Sequence, residues 1–215
     1  LSGLIIVSMS GVTQKATIAK AQVFSNSLRN SLMLDLIAEW NFNNLSGTVN
    51  QEISTAADFI TDSWGNDHGS AVGSPTLKSG SDCITGNCLS FNGSTDYVDF
   101  GADSSSRFSL EVATISIWFK ANDRLNNQEL LSKSDGTSSA KLQFNGNNYL
   151  QMFAKSEGNY DMIPKIFIND SNWHYVAIIL GNNGAKGYLD GIQKYNEPAL
   201  LRGLDSAPTA NIFLG

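Results

Sequence analysis

The sequence predicts a mainly β protein, an antiparallel β-sandwich preceded by a long N-terminal α-helix, and three observations carry that reading. Strand-length apolar runs follow one another with no helical pattern between them, which favours antiparallel pairing over βαβ units. Gly, Ser and Asn punctuate these runs while only 16% of the residues are charged, the texture of an extracellular all-β domain. Ahead of them, Phe24, Leu28, Leu32 and Leu36 recur every fourth residue, the spacing of one helical face.

The helical period runs from Leu4 to Ile37 without a proline, with Ala21 and Val23 beside the stripe. At about 1.5 Å per residue such a helix is a rod of roughly 50 Å, longer than most globular helices. Residues 1–34 hold Lys15, Lys20 and Arg29 and no carboxylate, so this segment is +3; the other 11 basic and 20 acidic residues make the rest −9, within a chain total of −6. A basic stem thus carries an acidic head. The acidic surface repels phosphate backbones, which argues against nucleic acid as a partner. The opening LSGLIIVSMSGV is too short for a membrane span, which takes about 20 apolar residues. It also lacks the basic-first order of a signal peptide. It reads as the second half of an anchor whose first half is cut away; the alternative is a helix packed on its own sheet.

Residues 39–43, 88–101, 113–121, 141–155, 172–181, 185–193 and 211–215 read as strands. Alternation places Ile115, Ile117 and Phe119 on one face and Ser116, Trp118 and Lys120 on the other. In WHYVAI, Trp173, Tyr175 and Ala177 share one face and His174, Val176 and Ile178 the other, so one of Trp173 and His174 faces the core. A lone His in such a strand is expected to be a hydrogen-bonded structural residue. Asp190 and Gly191 supply the two-residue turn of a hairpin.

Cys83 and Cys88 bracket CITGNC, where Gly86 and Asn87 suit a tight turn. No other cysteine competes for pairing, which points to a local disulfide, with two free thiols as the alternative. A zinc site would need nearby histidines, whereas His68 and His174 are distant in sequence.

Two resemblances sharpen this picture. The first 32 residues, an apolar half followed by an Ala/Lys-rich amphipathic half, resemble the N-terminal helix of type IV pilins and pseudopilins beyond their first turns. That implies a helix held in the membrane before assembly and packed against like subunits in a filament afterwards. The ordered segments WNF, DSWGNDHG, LSFNGSTDYVDF, ISIWFK, WHYVAI, GYLDG and NIFLG resemble the laminin-G-like, concanavalin A-like jelly-roll family over residues 38–215. The two together imply a helical stem at 1–37 and a jelly roll at 38–215, the latter stopping before a last strand or two that family members carry.

Related sandwiches include glycoside hydrolases with two carboxylates about 5 Å apart on a strand face. Their Glu-x-Asp-x-x-Glu pattern does not occur, and Glu157 with Asp161 falls in a Gly/Asn-rich stretch expected to be a loop. The expectation is therefore a protein that is not an enzyme. Family relatives hold structural calcium, and Asp62, Asn66 and Asp67 offer oxygens for such an ion; the alternative is an Asx turn in which Asp62 and Asn66 bond their own backbone. Sugar stacking would use exposed aromatics, and Trp64, Tyr149, Tyr160 and Tyr195 are the candidates. Together these readings describe a prokaryotic surface or filament protein whose head recognises carbohydrate or a matrix protein. The rivals are a carbohydrate-active enzyme and a purely structural filament subunit.

Overall fold

The computed structural model describes residues 9–45, 59–103, 107–122, 124, 126–156, 159–181, 184–198, 204–206 and 209–215. Helix α1 (Met9–Ser31) closes earlier than the apolar period suggests, giving way to a 3-10 turn at Met33–Asp35 and an extended Leu36. Its last turns carry Ser25, Asn26, Ser27, Asn30 and Ser31, weak helix formers whose side chains compete for the backbone. Ser31 Oγ does so, donating to Leu28 O at 2.8 Å. No helix among the described residues is long and apolar enough to cross a membrane.

Fourteen strands follow within the described residues: β1 (Phe59–Ile60), β2 (Gly69–Val72), β3 (Thr76–Ser79), β4 (Asn87–Ser90), β5 (Tyr97–Ala102), β6 (Ala113–Lys120) and β7 (Asn126–Ser134), then β8 (Ser139–Asn145), β9 (Tyr149–Ser156), β10 (Asn159–Phe167), β11 (Trp173–Gly181), β12 (Gly184–Leu189), β13 (Ile192–Glu197) and β14 (Asn211–Leu214). They form an eight-stranded sheet in the order β1-β2-β5-β14-β7-β8-β9-β10, a four-stranded sheet β13-β12-β11-β6, and the hairpin β3-β4. Every ladder is antiparallel. The mainly β, antiparallel expectation holds.

Between the two large sheets, Leu142, Phe144, Leu150 and Met152 meet Phe119, Val176, Ile178 and Leu180, all buried. Each such side chain contributes about 1.5–3 kcal/mol of burial. A second cluster gathers Ile60, Ala71, Leu77, Val98 and Leu214, with Trp40, Phe42 and Phe100 against it.

The helix lies on the outer face of the four-stranded sheet. Ala21 is buried against Tyr175 and Ala177, with Phe24, Leu28, Trp118 and Tyr188 around them. Strand β11 is therefore covered on both sides, which explains why WHYVAIIL is almost continuously apolar rather than alternating. The Asp190-Gly191 turn forms as foreseen, with φ of 51° and 74°. A side chain at position 191 would press on Phe24, whose Cβ lies 3.0 Å from an ideal Cβ placed there, so glycine also lets the helix approach the hairpin.

Two local expectations change. Residues 39–43 form no strand: Glu39 N donates to Asp62 Oδ1, Ser63 N donates to Glu39 O, and Phe42 takes φ 58°, which breaks the extended run. Strand β10 occupies the stretch read as a loop around Asp161; its Pro164 is tolerated because β10 is an edge strand with a register shift between Ile163 and Ile166. Glu157 lies outside the described residues. Strand β7, polar and irregular in register, has no clear alternation to reveal it.

Candidate functional site

The Cys83–Cys88 disulfide is formed, with Cα atoms 5.7 Å apart, and ties the β3-β4 connection to the start of β4. The loop between β1 and β2 holds the residues foreseen as calcium ligands. Asp62 is buried, and its Oδ1 accepts amide protons from Glu39 and Trp64, both at 2.9 Å, while Oδ2 accepts that of Asp67 at 3.1 Å. Burial pushes the Asp62 carboxyl up, but amide donation from Glu39, Gly65, Trp64 and Asp67 outweighs it and holds it below the usual carboxylate value. Asp67 pairs with Arg107 at 2.6 Å, and Asn66 is exposed. For Asp67, burial and the nearby Asp62 and Asp103 prevail over Arg107, and its carboxyl is raised. The Asp62 oxygens thus face N–H donors, and Asp67 faces a guanidinium. Among the described residues no group of three or more His, Cys, Asp or Glu side chains gathers as a metal site.

The four candidate aromatics sit on separate elements. Trp64 is 44% exposed, with the Arg29 guanidinium 5.9 Å from its ring centre and Arg29 itself held by Glu39. Tyr149 packs on Phe167 at 5.2 Å where β9 starts, and Tyr195 donates to Glu197 Oε2 on β13. Tyr160 lies on β10, opposite Lys155, with its side chain outside the described residues.

A different set of polar groups converges at the start of β11. His174 points to the inner side of its sheet, beside Phe119. Its Nδ1 lies 2.8 Å from Asp190 Oδ2 and its Nε2 3.0 Å from Asp170 Oδ1. Asp190 Oδ1 accepts the Tyr175 amide proton at 2.9 Å, so the turn residue ties β12 to β11 and orients the imidazole at once. Asp170 Oδ1 also accepts the Asn172 amide proton, and Arg124 Nη1 donates to Asp170 O, both at 2.8 Å. Burial lowers the His174 pKa, but the hydrogen bonds and charge of Asp190 and then Asp170 prevail and raise it. Asp170 responds in kind: burial raises it, while the Asn172 amide and His174 bring it below the usual value.

Residues from the N-terminal half of α1 come close to the start of β11 and the loop before it. Between them lies an open groove of about 370 Å³ lined by Thr13, Gln14, Thr17, Asp170, Asn172, Trp173 and His174. Trp173 forms one wall, its Nε1 donating to Asp82 O at 3.1 Å. Asp170, Asn172 and the three helical residues escape sequence reading because about 150 residues separate the two sides; only an Asp four residues before His174 hints at the pairing.

The profile of the concanavalin A-like lectin/glucanases superfamily matches residues 92–215, more than half of the chain. The chain belongs to this superfamily. Among solved structures it is similar to domain 4 of AbnA, a GH43 extracellular arabinanase from Geobacillus stearothermophilus, in complex with arabinotriose: 16% identity, TM-score 0.57, covering 78% of this chain and 83% of that one. This similarity is one of fold. Weaker matches are the carbohydrate binding module CBM66 from Bacillus subtilis (10% identity, TM-score 0.36, 65% of this chain and 83% of that one) and a Bacillus licheniformis beta-glucanase (13%, 0.32, 84% and 75%). No curated protein matches the sequence significantly.

Proposed function

We propose that the chain is a non-catalytic extracellular recognition module that binds carbohydrate, free or carried on a surface or matrix protein, in the groove between α1 and β11. The observation that carries this reading is the groove's composition: an indole wall, a carboxylate, two side-chain amides and two hydroxyls on one superfamily sandwich. Sugars are held by such sets of stacking and hydrogen-bonding groups. The pilin-like segment supports display on a prokaryotic surface or filament, with like subunits as partners through the helix.

The network also favours binding over hydrolysis. Asp190 and His174 reproduce the base half of a hydrolytic triad, but the atom facing His174 Nε2 belongs to a carboxylate rather than to the hydroxyl or thiol that such a base activates. The imidazole sits between the two carboxylates, where a glycosidase would place the scissile bond. An array of neutral oligosaccharides that includes arabinotriose, cellotriose and chitotriose tests the proposal. Binding in the roughly micromolar to millimolar range is expected, strengthened by avidity on a filament. It should weaken about three- to tenfold in Gln14→Ala, the loss of one hydrogen bond. Hydrolysis of any of them, or binding indifferent to groove variants, contradicts it.

A further inference from the structure

We infer that His174 Nε2 and Asp170 Oδ1 are the groove's hydroxyl-binding pair and that they accept ligand when His174 is deprotonated. The inference rests on the carbohydrate reading and deepens it. A neutral imidazole has one N–H, yet two carboxylates flank this ring at 2.8 and 3.0 Å. As imidazolium, His174 satisfies both. Once neutral it can satisfy one, and the structure decides which. The Asp190 side chain is only 10% exposed and grips the Tyr175 amide, whereas that of Asp170 is 45% exposed on the groove. The remaining proton therefore stays on Nδ1, toward Asp190, because a buried carboxylate without its partner is the costlier loss.

Nε2 then presents a lone pair to Asp170 Oδ1 across 3.0 Å. Two acceptors then lie in contact, one of them the exposed Asp170 carboxylate lining the groove, and their repulsion is relieved when that carboxylate swings aside and each takes a donor of its own. The hydroxyls of a neutral sugar supply such donors, as an anionic ligand without them does not. Binding to the protonated state must displace the Nε2 proton: the Nε2–H bond breaks, its electron pair stays on nitrogen, the proton bonds to buffer base, and no bond forms between protein and ligand. The charged groups around the ring are Asp190 from the β12-β13 turn, Asp170 from the β10-β11 loop, and Arg124, which donates to the Asp170 carbonyl. On the helix side the groove is lined by Thr13, Gln14 and Thr17, none of which titrates.

Calorimetric titration of the intact chain with arabinotriose, cellotriose and chitotriose, from about pH 5 to about pH 10, brackets the imidazole range. Nitrogen-15 NMR of the His174 ring is recorded on the same samples. The expected result is a neutral ring protonated on Nδ1 and an affinity that rises about tenfold per pH unit below the His174 midpoint and is flat above it. Proton release should show as a buffer-dependent heat, and Asp170→Asn should move the pH dependence to lower pH while staying folded. Binding that is weakened by Gln14→Ala yet constant across the His174 titration overturns the inference and leaves the recognition reading in place. A neutral ring protonated on Nε2 overturns it as well. No binding by any of the three at any pH overturns the recognition reading, and the inference with it.

Discussion

Asp190 and His174 lie 16 residues apart in sequence and 2.8 Å apart in space, carboxylate to imidazole, across the β11-β12 pair. The segments WHYVAI and GYLDG are thereby two halves of one contact. Asp190 adopts φ 51° to turn the chain, and its Oδ1 accepts the Tyr175 amide proton.

Removing that carboxylate should be costly. Asp190→Ala leaves a buried imidazole and a buried amide without their acceptor, and a loss of about 3 kcal/mol is expected. Asp190→Asn keeps the turn and an acceptor and should lose less. Urea denaturation compares the three proteins; equal stability of Asp190→Ala and wild type would remove the contact from the account.

The same pair sets a pH dependence. The folded pKa of His174 is raised, so its contribution is fully present below the unfolded value of about 6.5 and is lost as pH rises through the folded value. Melting temperature should therefore fall as pH rises from about 6.5 through the folded value, and this fall should shrink in Asp170→Asn, which lacks one of the two raising partners. A profile flat through the His174 titration, followed by NMR, speaks against the coupling.

The helix is expected to act as a cover as well as a stem. Phe24 stacks on Tyr188 with ring centres 5.4 Å apart and meets Tyr175 edge-on at 6.1 Å. Phe24→Ala should cost about 2 kcal/mol, below the range for a fully buried Phe because the ring is half-buried. Deleting residues 1–34 should leave the sandwich folded by near-UV circular dichroism, since its inner core is separate, but self-associating through the uncovered Tyr175, Trp118 and Tyr188. A truncated head that stays monomeric in sedimentation would show that the helix covers little of consequence.

The β1-β2 loop gives a prediction about calcium. Asp62 accepts backbone protons on both oxygens, so Asp62→Ala should destabilise the chain by about 2 kcal/mol whether calcium or a chelator is present. A calcium-dependent rise in melting temperature that vanishes in Asp62→Ala would instead place the ion on this carboxylate.

Much of the fold was legible in the sequence, and the exceptions have physical causes. Strands β6, β11 and β14 declared themselves through alternation or unbroken apolarity, and the Asp190-Gly191 turn through its chemistry. Strand β10 hid behind Pro164, acceptable only at an edge, and residues 39–43 looked like a strand although their partners are loop groups. His174 is hydrogen-bonded, as a lone His in such a strand is expected to be, but naming Asp190 as a partner takes the register of β11 on β12. The groove was beyond reach, since it exists only where the far end of α1 meets the β10-β11 loop.

The most direct test of the central claim is chemical-shift mapping of the nitrogen-15-labelled chain with the oligosaccharide that the array selects. The account predicts shifts at the Trp173 indole N–H, at the side-chain amides of Gln14 and Asn172 and at the Thr17 amide, with the Trp64 indole unmoved. Shifts confined to Trp64 and the Asp62–His68 loop, or to Tyr149 and Tyr195, would contradict it.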